Sequence, residues 1–173
     1  MIIMPDVENI MLGSGKLFIA ELDSSGDIPE TLFSDTNCVG DIQGGATLEY
    51  KPEIKEVKND FSETRKVFIK SEDATLKSGV LTWDMPTLEK LTVGASYDTS
   101  KKELTLGGKK TIKQYAIGFE HTEDIHIKLS MIGYNQSGLT IKFDPENETV
   151  IDAEFKAKKD DGGVLIKIAE VTA

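Results

Sequence analysis

Three places in the sequence carry residue types that could do chemistry. Gly13-Ser14-Gly15-Lys16 sets glycines before a lysine, as a phosphate-cradling loop does. Such a loop also needs a glycine five positions before its Gly-Lys pair, a Ser or Thr after the lysine to ligand magnesium, and a following helix whose free amides hold phosphate. Ile10 and Leu17 stand at those two positions, and Leu17-Phe18-Ile19-Ala20 has the composition of a strand. Gly13-Ser14-Gly15 is therefore expected to turn an N-terminal arm into the first core strand, with Lys16 a surface charge. Residues 120 to 126, EHTEDIH, gather both histidines with three carboxylates, donors a zinc ion could use. His121 and His126 are the metal candidates, but their separation across a turn fits none of the compact zinc spacings, and a polar hairpin tip explains the same residues. Cys38 is the single cysteine, so no internal disulfide can form. With no histidine nearby in sequence it reads as a buried thiol rather than a nucleophile. No Ser-His-Asp elbow and no glycine-rich strand-to-helix turn occurs, so neither enzymatic activity nor a cofactor is expected.

The elements that would carry such residues are mostly strands. Leu17 to Leu22 opens the core, followed by a long loop rich in Ser, Asp, Gly and Pro up to Cys38. Ala46, Leu48 and Tyr50 alternate with Thr47, Glu49 and Lys51, the period of a half-buried strand. Beyond Pro52 the alternation becomes strongly charged, with Ile54 and Val57 out of step, before residues 64 to 82 resume as β. Residues 46–82 together predict an extended hairpin with its tip within residues 53–65. Residues 84–93 predict the one helix: Asp84 caps, Pro86 sits in the first turn, Leu88 and Leu91 share a face and Gly94 ends it. Further strands are expected around a Gly107-Gly108 hairpin, at Tyr115 to Phe119, at Ile125 to Met131, at Leu139 to Phe143, and in a closing hairpin of Ile151 to Ala157 with Val164 to Ile168. Tyr50, Trp83 and Tyr115 lie in strands expected to be buried. The expected fold class is mainly β, a sandwich or barrel with one short α-helix and an extended hairpin arm.

The chain has 173 residues, the size of one domain, which can bury a core without disulfides or metal. No apolar run approaches a membrane span, and Met1-Ile2-Ile3-Met4 breaks at Pro5 with no basic segment, so a cytoplasmic protein without membrane binding is expected. The net charge is −10, and residues 1–45 hold eight acidic side chains against the lone Lys16. That balance disfavours a protein that grips nucleic-acid phosphates, whose affinity comes from Lys and Arg, but not a surface that must let nucleic acid pass. Lys101, Lys102, Lys109, Lys110 and Lys113 form a basic cluster without interleaved aromatics. It could meet the acidic segment of an identical neighbour or simply be solvated. The extended hairpin is hardest to reconcile with a monomer: Ile54, Val57 and Phe61 against Val67, Phe68 and Ile69 invite pairing with another chain. A ring of copies could close such arms into a barrel without free edges.

Four stretches, GSGKLFIAEL, VGDIQGGATLEYKPEIKEV, VFIKSEDATLKSGVLTWDMPTLEKL and AEFKAKKDDGGVLIKI, carry a resemblance. In this order they resemble the major tail (tail tube) proteins of tailed bacteriophages of the long flexible-tailed siphophage type, from about Gly13 to Ile168; the Glu21–Cys38 loop matches least. The resemblance implies a single tail-tube-like domain over residues 1–173, with an N-terminal arm at 1–14. It implies hexameric rings of identical subunits that stack into a hollow tube, join other phage tail proteins, and serve as a conduit for DNA ejection. The protein would then be a virion component assembled in the bacterial host cytoplasm. In that family β-hairpins from every subunit build the inner wall and the hairpin loop contacts the next ring. Here that makes Ile54, Val57, Phe61, Val67 and Phe68 candidates for contacts between subunits and rings. The family's lumen is generally acidic, and Glu49, Glu53, Glu56 and Glu72 are the candidates to line it. Tubes of contractile tails, tailocins and secretion systems share the pattern and are the first alternative. A carbohydrate-binding β-sandwich, which would need exposed aromatics on one face, and a metal-dependent hydrolase resting on His121 and His126 are the others.

Overall fold

The computed structural model describes residues 15–81, 84–108, 111–123 and 125–172. The expected N-terminal arm at 1–14, with Gly13 and Ser14, and the positions of Trp83, Lys109 and Lys110 lie outside them. The described chain is mainly β, sandwich-like, with one α-helix among these residues.

The first strand, β1 (Lys16–Glu21), is buried on both faces because its alternate residues serve two apolar clusters. Leu17 and Ile19 enter the main core, while Phe18 and Ala20 meet Leu32 and Ala116 under the 22–38 loop. That loop is thus a lid on the sheet, and the rings of Phe18 and Phe33 meet edge to face at 5.3 Å. Lys16 begins a strand and not a helix, so no phosphate-binding turn follows it. Gly15 is required where the chain enters β1: a Cβ there would stand 2.2 Å from the Glu120 carbonyl oxygen.

The long hairpin consists of β2 (Ile42–Lys58) and β3 (Thr64–Val80), so it begins earlier and ends slightly earlier than residues 46–82. Gly44 and Gly45, at φ 79° and 71°, form the irregularity that lets β2 enter its register with β3. The helix α1 (Met85–Leu91) is shorter than residues 84–93; Asp84 caps it, accepting from the Thr87 amide at 3.3 Å and the Thr87 hydroxyl at 3.0 Å. Leu88 and Leu91 turn into the main core.

The hairpin expected around Gly107-Gly108 is replaced by an earlier one. β4 (Ala95–Asp98) and β5 (Glu103–Leu106) pair with each other, because the Asp98 carboxylate turns the chain by accepting from the Ser100 and Lys101 amides at 2.9 and 3.1 Å. β6 (Tyr115–His121) pairs with β1 on one side and along β7 (Ile127–Asn135) on the other. The second edge of β7 is shared. Its residues 127–131 take β9 (Ile166–Glu170), and its residues 132–135 take β8 (Ile151–Lys158), which continues the sheet to β3 and β2. The expected pairing of Val164 to Ile168 with Ile151 to Ala157 is thereby corrected. The turn is as expected, with Asp160 accepting from the Val164 amide at 2.8 Å, but the chain leaving it runs to the open half of β7. Leu139, Ile141 and Phe143 form no strand, and Phe143 is 91% exposed. The edge of β7 that such a strand would join is already occupied by β8 and β9.

Candidate functional site

β3 pairs with β8 only from Thr75 to Val80. Beyond that, β2 and β3 have only each other, and from Lys51 to Ser71 every residue except Asn59 is exposed. Beyond Leu48 and Leu76, which face each other, β8 no longer lies beside β3, so the ribbon projects past the core. The feature is therefore a two-stranded arm, whose faces follow from the register and the two-residue period.

One face carries Tyr50, Pro52 and Ile54 of β2, with Glu72, Ile69 and Val67 opposite them or diagonal to them on β3; Glu56 lies directly across from Val67. It is largely apolar: Ile54, Val67 and Ile69 are 60%, 56% and 54% exposed. Tyr50, expected to be buried, is half exposed because it stands just past the end of the core. Its hydroxyl donates to Glu72 at 2.6 Å, and Lys159 reaches the other oxygen of Glu72 at 2.8 Å. Lys159 and Tyr50 together hold the Glu72 carboxyl below its ordinary range, and Glu72 in turn raises the Tyr50 hydroxyl.

The opposite face carries Glu49, Lys51, Glu53, Lys55 and Val57, with Asp73, Ser71, Phe68 and Lys66 across from them. Here most charges are tied in pairs, Lys55 and Lys66 excepted. Lys51 bridges Glu49, Lys156 lies 3.4 Å from Asp73, and Lys77 lies 3.6 Å from Glu154. An irregularity between Glu53 and Ile54 inserts Lys70 into β3, so that Lys70 and Ser71 both donate to Glu53, at 2.8 and 2.9 Å. Lys51 lowers the carboxyl of Glu49, and Lys70 with Ser71 lowers that of Glu53, so both remain ionised through the neutral range.

The four acidic lumen candidates thus do not share one wall. Glu49 and Glu53 belong to the charged face, while Glu56 and Glu72 belong to the apolar one. The contact candidates divide likewise: Ile54 and Val67 on the apolar face, Val57 and Phe68 on the charged face, Phe61 at the tip. Ile69, named in the sequence among the residues that invite pairing with another chain but not among the contact candidates, lies directly across from Ile54, and the two make one apolar patch. The irregularity at Lys70 shifts β3 by one residue, and alternation on β2 alone carries no sign of it.

His121 and His126 lie at the β6–β7 turn and engage different partners. Nδ1 of His121 is 2.8 Å from the Ile125 carbonyl oxygen, and Nε2 of His126 is 2.6 Å from the Glu120 carboxylate. Among the described residues no group of three or more metal-binding side chains converges. Lys113 of the basic cluster pairs within its own chain, with Glu21 of the acidic segment. Cys38 is half-buried beneath the 22–38 loop. No helix among the described residues is long and apolar enough to cross a membrane. In comparison with known proteins, no family model matches the chain, and no curated protein matches it significantly.

Proposed function

We propose that this protein is a structural subunit of a bacteriophage tail tube, whose copies join through their hairpin arms into rings that stack into a conduit for DNA. The observation that supports this reading is the arm itself, a two-stranded ribbon with one largely apolar face, one charged and mostly ion-paired face and open strand edges. A ribbon of two strands is marginal in water, and its unpaired backbone groups invite another chain. Side-by-side pairing of arms around a ring satisfies those groups and leaves no edge once the ring closes. In such a ring the apolar face, with Tyr50, Ile54, Val67 and Ile69, packs against protein. The charged face, with Glu49 and Glu53, turns to the channel. Two lysines of that face, Lys51 and Lys70, are held by Glu49 and Glu53 rather than left free for phosphate, which suits passage of DNA without retention; Lys55 and Lys66 on the same face have no such partner among the described residues. In this arrangement Glu56 and Glu72 are interface residues and not lumen residues.

The test is negative-stain electron microscopy with light scattering across a concentration series. The full chain should form rings or tubes. A variant in which an Asn-Gly turn replaces residues 53–71, shortening the ribbon at the Pro52–Glu72 pair, should remain a folded monomer with an unchanged near-ultraviolet spectrum. A full chain that stays monomeric at every concentration, with or without pre-formed tube fragments as seeds, would refute the proposal.

A further inference from the structure

Between the end of α1 and the chain that enters β6 lies a cavity of ≈ 510 Å³, whose walls include Glu89, Lys90, Thr92, Ile112, Lys113 and Tyr115 and no residue of the arm. That volume falls within the roughly 300–1,000 Å³ of small-molecule sites. The wall on the helix side is anchored: the Asn135 side-chain amide donates to the Leu91 carbonyl oxygen, and the Thr92 carbonyl oxygen accepts from the Ala95 amide at 3.3 Å. Two hydroxyls on the wall have nothing to bond. Thr92 is 8% exposed, and its hydroxyl oxygen is the one buried side-chain polar atom without a hydrogen-bond partner among the described residues. Tyr115 is 7% exposed, and its hydroxyl makes no hydrogen bond among the described residues either. Burial raises the Tyr115 hydroxyl above its ordinary range, so it stays a neutral donor and acceptor.

Folding strips a buried hydroxyl of its water, and a chain with no use for the group gains by giving it a partner or replacing it with a methyl. Orphans on the wall of a cavity are retained where a ligand completes them. The ionic groups around them cancel. Lys113 pairs with Glu21; Lys90, which has no ion pair among the described residues, is balanced by Glu89, one oxygen of which accepts from the Tyr97 amide at 3.2 Å. The wall therefore offers donors and acceptors together and selects no net charge. The Lys113 amine stands 5.3 Å from the centre of the Tyr115 ring and covers one of its faces, so a flat aromatic ligand cannot stack there. We propose that this cavity binds a small neutral polyhydroxylated ligand of monosaccharide size, whose hydroxyls both donate and accept. Thr92 and Tyr115 bond it from the inner wall, and Lys90 and Glu89 from the side of the helix. The site is independent of the tube reading.

The experiment is saturation-transfer NMR with thermal melting of the full chain, using glucose, galactose and N-acetylglucosamine as probes and the gluconate anion and glucosaminium cation as charged counterparts. At least one neutral sugar should receive saturation and raise Tm. Thr92→Val and Tyr115→Phe, which keep the shape of each side chain and remove only its hydroxyl, should each weaken that binding about tenfold. Without sugar, Thr92→Val should melt at or above the temperature of the parent, because a methyl replaces an orphaned hydroxyl. A marked fall in that melt would show that the hydroxyl is already satisfied within the chain and would overturn the proposal. So would the absence of saturation transfer to every neutral sugar, which would mean that the cavity holds water alone. Stronger binding of gluconate or glucosaminium, or undiminished binding in both variants, would also overturn it.

Discussion

The pair Ile54 and Ile69 offers a decisive substitution, because the two face each other on the arm and are exposed in the single chain. Burying an isoleucine fully is worth about 1.5–3 kcal/mol. With 60% and 54% of their surfaces still open, covering both in an assembly should contribute roughly 2–3 kcal/mol per subunit. Ile54→Ser with Ile69→Ser removes that term, so the concentration needed for assembly should rise roughly 30- to 140-fold. The isolated subunit loses little, since the two side chains are already more than half in water. Ile117→Ala is the reference, a side chain with no exposure whose truncation should cost about 2–5 kcal/mol of folding stability. Sedimentation against concentration reads the first quantity, and urea melts of the subunit read the second. An unchanged assembly threshold in the double variant would refute the assignment of this face to an interface. A loss of subunit stability as large as that of Ile117→Ala would show that the arm folds back on its own core.

The remaining predictions concern the sheet, the ion pairs and the histidines. Gly133→Ala should lower Tm by about 3–10 °C, because a Cβ there would stand 2.3 Å from the Lys156 carbonyl oxygen where β7 meets β8; differential scanning calorimetry checks it. Lys113 holds the Glu21 carboxyl below its ordinary 4.5, and Glu21 holds the Lys113 amine above its ordinary 10.5. The pair's contribution is therefore complete between those values; it fades as pH falls through the lowered carboxyl value or rises through the raised amine value. Both groups are well exposed and screened, so Glu21→Gln should only slightly flatten Tm against pH, below about 4.5 and again above 10.5. Zinc should leave Tm unchanged in the parent and in His126→Ala, since the two histidines hold separate partners; a zinc-dependent rise in the parent that His126→Ala abolishes would show a metal site at the β6–β7 turn.

Much of the fold is local and was readable in the residues. Asp84, Pro86 and the Leu88 and Leu91 face are enough for a helix start and its buried side. Alternation in Tyr115 to Phe119 and Ile151 to Ala157 is enough for strands, the second with one face in a core; the first is buried on both faces, with Ala116 in the second apolar cluster. The arm was legible for the same reason: the switch at Pro52 from apolar alternation to charge marks where a hairpin leaves the interior. The placement of Glu49, Glu53, Glu56 and Glu72 was not legible. Their faces depend on the register across β2 and β3, including the inserted Lys70, and a register is a property of two segments at once.

What the sequence determined by itself, then, is which segments extend, where the chain turns, and that a hairpin must project. Short-range sterics, caps and the two-residue period act within a few residues, so they are written locally. What only the tertiary structure decided is partnership. Val164 to Ile168 left a correctly foreseen turn to join β7 rather than β8, and Leu139 to Phe143 stayed outside the sheet although its pattern was that of a strand. Any strand's backbone can pair with any free edge, so the choice falls to whichever edge the packed core leaves open, and that competition is settled among segments far apart in sequence.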